Sequence, residues 1–171
     1  MGLGYPDSGS ILVYGEPPGS RKRGMIGYLS GQFEPPYDWW TVREAVDHHG
    51  RYFATWDSRL AWDLLDRLEV NPGIRLGTLS SGERRRVQLV LALSARSQFL
   101  VLDEPLARID QSGFRLVSTL IGAHIHEHPG TTVLMATHDT EPFLDLNPAT
   151  LLLQDGIAEQ VGDGPPPKTD G

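Results

Sequence analysis

Cysteine is absent from the 171 residues, so neither disulfides nor thiolate metal sites enter any account of this chain. Long apolar runs are missing too, and none approaches the ~20 residues needed to span a bilayer. Basic residues are in the minority: 15 Lys and Arg stand against 22 Asp and Glu, a formal net charge of −7. Nucleic-acid surfaces depend on clustered Lys and Arg, so this balance argues against a nucleic-acid partner. The segment Met1 to Asp7 holds neither the basic nor the apolar stretch of a signal peptide. No internal repeat is visible. What is present is a length suited to one domain and 39% hydrophobic residues, enough for a core. The expectation is a soluble, cytoplasmic protein.

Three short apolar runs organise the second half of the chain: Gln98 to Leu102, Thr132 to Thr137, and Thr150 to Leu153. Each is closed by polar or turn residues, which predicts strands buried on both faces of a parallel sheet. Between the first two, Phe114, Val117, Leu120, Ile121 and Ile125 recur at spacings of three and four, and Asp110 is a candidate N-cap. That is a strand–helix–strand crossover, so the class is α/β. Earlier, Ile11 to Tyr14 and Met25 to Leu29 are expected strands, separated by a Pro/Gly/basic loop. Residues 41–49 and 57–69 are expected helices of a small lobe inserted before the second half of the sheet. Beyond Gly162 the composition is that of a disordered tail.

In open parallel sheets, ligands bind beyond the carboxyl ends of the strands. Asp103 and Glu104 follow one apolar run and His138 follows the next. A parallel crossover brings both ends to one edge. There, two carboxylates suit a Mg²⁺ ion and a general base for water, with His138 able to bond a phosphate oxygen. The plainer reading makes them polar strand-end residues facing solvent.

Leu79-Ser80-Ser81-Gly82-Glu83 opens a helix running to about Arg96, nearly continuous in apolar residues from Val87 to Leu93 and so expected to be deeply packed. Ser80 and Glu83 have capping-box spacing. The helix start is a ready anion site, to which Arg84, Arg85 and Arg86 add positive charge. An ordinary capped core helix with a solvated basic turn is the alternative.

Taken in order, this capped helix, then Leu102-Asp103-Glu104-Pro105, then Asp110, then Ala136-Thr137-His138-Asp139 resembles the ATP-binding-cassette family, up to about residue 160. The implied fold is a mostly parallel sheet of the P-loop NTPase type, with a helical subdomain at about 36–92, the first P-loop strand–helix unit missing, and a disordered tail at 161–171. The resemblance implies these roles. Asp103 holds Mg²⁺ through water, Glu104 orients and activates the attacking water, and His138 contacts the γ-phosphate. Asp110 crosses to a second nucleotide-binding subunit. Ser80, Ser81 and Gly82 cap the γ-phosphate of ATP held by that partner. Ser81 stands where the family has glycine, and Glu83 where it has glutamine. Gln32 resembles the Mg²⁺-sensing glutamine but sits one residue late, so either the loop bulges or Gly31 takes the place. The family further implies a membrane permease as partner and a peripheral location on the inner face of the cell membrane.

Nowhere does Gly-x-x-x-x-Gly-Lys-Ser/Thr occur. Such a loop cradles phosphate with backbone N–H groups and a lysine. Charge-assisted hydrogen bonds are worth ~1.5–3 kcal/mol each, so losing even three costs about three or more decades of affinity. The chain by itself is therefore expected not to bind ATP measurably. A sheet short of one strand is also expected to be marginally stable. Two other readings stay open. One is a non-catalytic subunit lending its capped helix to a partner's ATP. The other is a cassette ATPase unrelated to transport, which would call for long heptad runs or a second cassette. A zinc site among His124, His126 and His128 competes with simple dipole-favoured histidines near a helix end. Trp39 and Trp40 suit either a permease contact or packing within the lobe.

Overall fold

Three strands pair side by side in parallel, in the order β1 (Ile26–Leu29), β2 (Phe99–Asp103), β3 (Thr132–Ala136). They belong to a computed structural model that describes residues 6–17, 26–30, 38–146, 148–155 and 157–160, the side chain of Ser112 aside. Gln32, Met25, the Arg21-Lys22-Arg23 stretch and the tail lie outside the described residues.

Between β1 and β2 come α1 (Val42–Gly50), α2 (Ser58–Arg67) and α3 (Ser81–Ser94). Each starts on a residue whose side chain satisfies an orphan N–H: Thr41 for α1, Asp57 for α2, Ser80 for α3. Thr41 and Ser80 both complete capping boxes, with Glu44 and Glu83. These hydrogen bonds hold both glutamates below the usual carboxylate range. Between β2 and β3 runs α4 (Gln111–Glu127), whose N-cap Asp110 accepts from the Gly113 amide at 2.7 Å.

The core lies on one side of the sheet. Leu29, Leu100 and Leu102 are no more than 1% exposed, and with Val133 and Met135 they join a cluster that includes Val87 to Leu93 of α3 and Val117, Leu120 and Ile121 of α4. The Val87–Leu93 run is buried throughout, Gln88 included, as its nearly continuous apolarity predicts. Gly27 shows how close α3 comes: a Cβ there would meet the Ser97 hydroxyl and, at 3.0 Å, the Ala92 carbonyl. Helices α1 and α2 pack against α3 in turn. Asp57 ties this lobe down through a 2.6 Å ion pair with Arg96 and through its own N–H to the Ser94 carbonyl. Trp40 packs on the core and Trp39 is 66% exposed.

Three expectations change. The residues of the other sheet face are partly open, Tyr28 at 39% and Leu134 at 50% exposure, so the strands are not buried on both sides. The described helices that reach the sheet join the core on the opposite face, and that leaves this row uncovered among the described residues. Ile11 to Tyr14 form no strand. Tyr14 and Gly15 both take left-handed φ, closing a tight turn with a single Val13–Glu16 bridge, and the Tyr14 hydroxyl donates to the Gln98 carbonyl at 2.7 Å. The third apolar run is β4 (Leu151–Gln154), which pairs antiparallel with β5 (Ile157–Gln160) and leaves Leu151 and Leu153 exposed. Asp155-Gly156 between them is a two-residue hairpin signal, and Asp155 has φ 52°. Turn chemistry outweighed apolar content there.

Candidate functional site

Parallel register places Asp103 opposite Ala136, so the chain leaving β2 and the chain leaving β3 emerge on the same rim. Just past that rung the Glu104 amide donates to the Ala136 carbonyl at 2.7 Å. Glu104 itself adopts φ 50°, a left-handed conformation that side-chain-bearing residues rarely hold. Its carboxylate Oε2 lies 2.9 Å from His138 Nδ1, and His138 Nε2 lies 3.7 Å from Asp139. Asp139 is itself turned by its N–H to the Thr137 hydroxyl, 3.1 Å. The Glu104 hydrogen bond, then the Glu104 and Asp139 charges, raise the His138 pKa above its ordinary value. The imidazole is 75% exposed, so an incoming anion can reach it. Asp103, Glu104 and His138, which sequence spacing puts at one edge, therefore share that edge.

A second group forms where α3 and α4 begin. The Ser80 hydroxyl accepts from the Glu83 amide at 3.2 Å and donates to the Glu83 carboxylate at 2.7 Å. Glutamate in place of glutamine thus serves the cap, because a carboxylate accepts both this bond and the Ser80 N–H at 2.8 Å. A Cβ on Gly82 would sit 2.9 Å from the Arg108 carbonyl, so α3 starts hard against the segment leading to Asp110. Ser81, by contrast, is exposed, with room for its side chain.

The three arginines do not form a solvated basic turn. Arg84 donates to the carbonyls of Leu79 and Gly77, and Arg86 to that of Leu68. Arg85 is 4% exposed and its guanidinium donates to the carbonyls of Ser30, Asp103 and Glu104 and to Gln88. Burial lowers its pKa, opposed by the charges of Asp103 and Glu104. Charge counting hides this residue. Helical period would find it, since positions 85, 88, 89 and 92 share the buried face of α3.

Two other features stand apart from the rim. His124 is buried, its pKa pushed down to about 4 by desolvation and by neighbouring His128 and Arg96. Among the described residues no group of three or more His, Asp or Glu is placed to hold a metal, and the His124–His128 rings stack at 4.6 Å. A cleft of about 200 Å³ between Arg67, Arg86, Gly113 and Val117 contains no rim residue. Among the described residues no helix is long and apolar enough to cross a membrane.

The chain resembles known proteins in sequence and fold. A family described as ABC transporter matches residues 1–107. The Nod factor export ATP-binding protein I of Rhizobium sp. (strain N33) is 33% identical over 97% of this chain and 56% of its own length. The cytochrome c biogenesis ATP-binding export protein CcmA of Rhizobium johnstonii is 32% identical over 80% of this chain and 66% of its own. The chain thus spans about half the length of the curated Nod factor export relatives it matches. A solved ATP-binding protein of an ABC transporter from Pyrococcus furiosus superposes with TM-score 0.61 at 25% identity, covering 78% of this chain and 66% of that one. A cobalt transport ATP-binding protein superposes with TM-score 0.72 at 22% identity, covering 93% and 60%. That second likeness shows the P-loop NTPase-type fold.

Proposed function

The chain belongs to the ABC transporter ATP-binding family, and from that premise we propose that it is the ATP-hydrolysing part of a transporter subunit. The observation that carries this reading is the 2.9 Å pairing of Glu104 with His138 beside Asp103 on the strand-end rim. In this reading the Glu104 carboxylate hydrogen-bonds a water and takes its proton as the water oxygen attacks the γ-phosphorus. The bond to the ADP oxygen breaks, and ADP leaves. His138, oriented through Nδ1 by Glu104, turns its other nitrogen toward the γ-phosphate oxygens. A general base must reach its water directly, and the Glu104 carboxylate at the sheet edge is 32% exposed.

Mg²⁺ is the ion the family implies. The fit is of a limited kind, because the described residues offer hard carboxylate oxygens at the rim but no three-ligand group. Mg²⁺ is commonly bound by one or two carboxylates together with substrate phosphates, and Asp103 would hold it in that way, through water, with Gln32 as a further oxygen ligand. Bound there, the ion would neutralise charge developing on the phosphates.

Ser80, Ser81 and Gly82 in the first turn of α3 would meet the nucleotide of a second subunit, and Asp110 would cross toward it. The helical lobe at about 36–92 would face a membrane permease, holding the protein on the inner face of the membrane. Residues 1–160 would form the nucleotide-binding domain. A second reading is a helper that only lends α3, capped by Ser80, to a partner's ATP.

The test is ATP turnover after mixing the chain with a phosphate-loop-bearing subunit. Glu104→Gln cutting turnover by two orders of magnitude supports catalysis here. Turnover that survives Glu104→Gln but is lost in Ser80→Arg makes the chain the helper.

A further inference from the structure

Arg85 sits one turn into α3, and its guanidinium reaches the edge where β1 and β2 finish. One arm donates to the Ser30 carbonyl, just past β1, and to Gln88 Oε1 at 3.0 Å. The other donates to the carbonyls of Asp103 and Glu104, either side of the peptide that leaves β2. The residue so gripped, Glu104, has a left-handed φ of 50°. Conformations of that kind persist only where the surroundings over-determine them. Two constraints meet at Glu104: its amide is held by Ala136 and its carbonyl by Arg85.

We propose that Arg85 is a positioning residue that locks the left-handed turn at Glu104 and so aims its carboxylate at His138. Through the same side chain the first turn of α3, capped by Ser80, is tied to the Glu104 backbone. A guanidinium suits the task because its donors are fixed in one plane and point along several directions at once. Lysine, with a single nitrogen, can reach one carbonyl well but cannot span Ser30 and the 103–104 peptide together. The catalytic importance of the lock rests on the reading of Glu104 as the water-orienting group; the lock itself does not.

Amide hydrogen exchange on the full chain tests it, comparing Arg85→Met, Arg85→Lys and, as a control on the same turn, Arg84→Gln. Arg85→Met is expected to speed exchange at the Glu104 amide at least tenfold while Leu89 and Val90 of α3 keep their protection. Arg85→Lys should fall between it and the parent, and Arg84→Gln should match the parent. A folded Arg85→Met chain with unchanged Glu104 exchange overturns the proposal, and so does acceleration spread evenly over α3 and β2, which marks a mere stabilising role. Should Arg85→Met not fold, Arg85→Lys decides by the same criterion.

Turnover with a complete partner reads the function separately. A tenfold lower kcat at unchanged KM for ATP in Arg85→Lys joins the lock to catalysis. Parent turnover that Glu104→Gln leaves intact sinks the catalytic reading of Glu104, while the exchange result still stands on its own.

Discussion

Glu104 Oε2 and His138 Nδ1 stand 2.9 Å apart although they leave different strands, because β2 and β3 run parallel in a register that pairs Asp103 with Ala136. The pairing has consequences for titration that can be measured directly.

His138 should titrate above the ordinary histidine value of about 6.5, with Glu104→Gln bringing it back toward that value. An imidazole resonance followed by NMR against pH checks both. Because the folded pKa is the higher one, the contact stabilises fully below the unfolded pKa, and its contribution fades as pH rises through the folded pKa. The Glu104→Gln chain should lack that fading.

His124 should act in the opposite sense. Its folded pKa of about 4 lies below the unfolded value, so between about 6.5 and 4 the unfolded chain takes up a proton that the folded chain refuses. Stability should therefore fall with pH across that window, by on the order of 2–3 kcal/mol. The ring meets His128 on its own helix and Arg96 across from it, and Arg96 is paired with Asp57 of the helical lobe and with His128. His49, half-buried and also lowered by desolvation, adds in the same direction. Denaturant melts at stepped pH of the parent and of His124→Leu check it: the variant should lose most of the slope.

Gly82→Ala should destabilise by about 1–3 kcal/mol, the usual cost of forcing extra volume into a packed contact. The new methyl would lie 2.9 Å from a backbone carbonyl, that of Arg108, which cannot swing aside as a flexible side chain would. Ser81→Ala, one residue away and exposed, should be close to neutral. Thermal unfolding of the two variants side by side gives the comparison.

Leu102→Ala and Leu134→Ala should differ sharply although both residues lie in neighbouring strands. Leu102 is 0% exposed, and cavity formation there should cost about 2–5 kcal/mol. Leu134 is 50% exposed on the open face and should cost less than about 1 kcal/mol. Equal losses at the two positions would mean that the second face is covered in solution.

Much of this molecule was legible in its residues one neighbourhood at a time. Capping depends on side chains three positions apart, so Ser80 and Asp110 announced the starts of α3 and α4. The period of the apolar stripes placed Val117, Leu120 and Ile121 inward, and the alternation of apolar runs with a helix implied the parallel crossover that joins Asp103 and Glu104 to His138. Local chemistry misled at Leu151, where apolar content suggested a buried strand and the Asp155 turn folded it into an exposed hairpin.

Tertiary structure alone decided the rest, because those outcomes depend on which distant groups share a space. Nothing near Arg85 in the chain says that its guanidinium will grip the Glu104 peptide, and Glu104 owes its left-handed turn to that grip together with the Ala136 carbonyl. Nor does an apolar strand reveal whether one of its faces or both are covered. That depends on which side the helices pack, and it left Leu102 sealed and Leu134 half open.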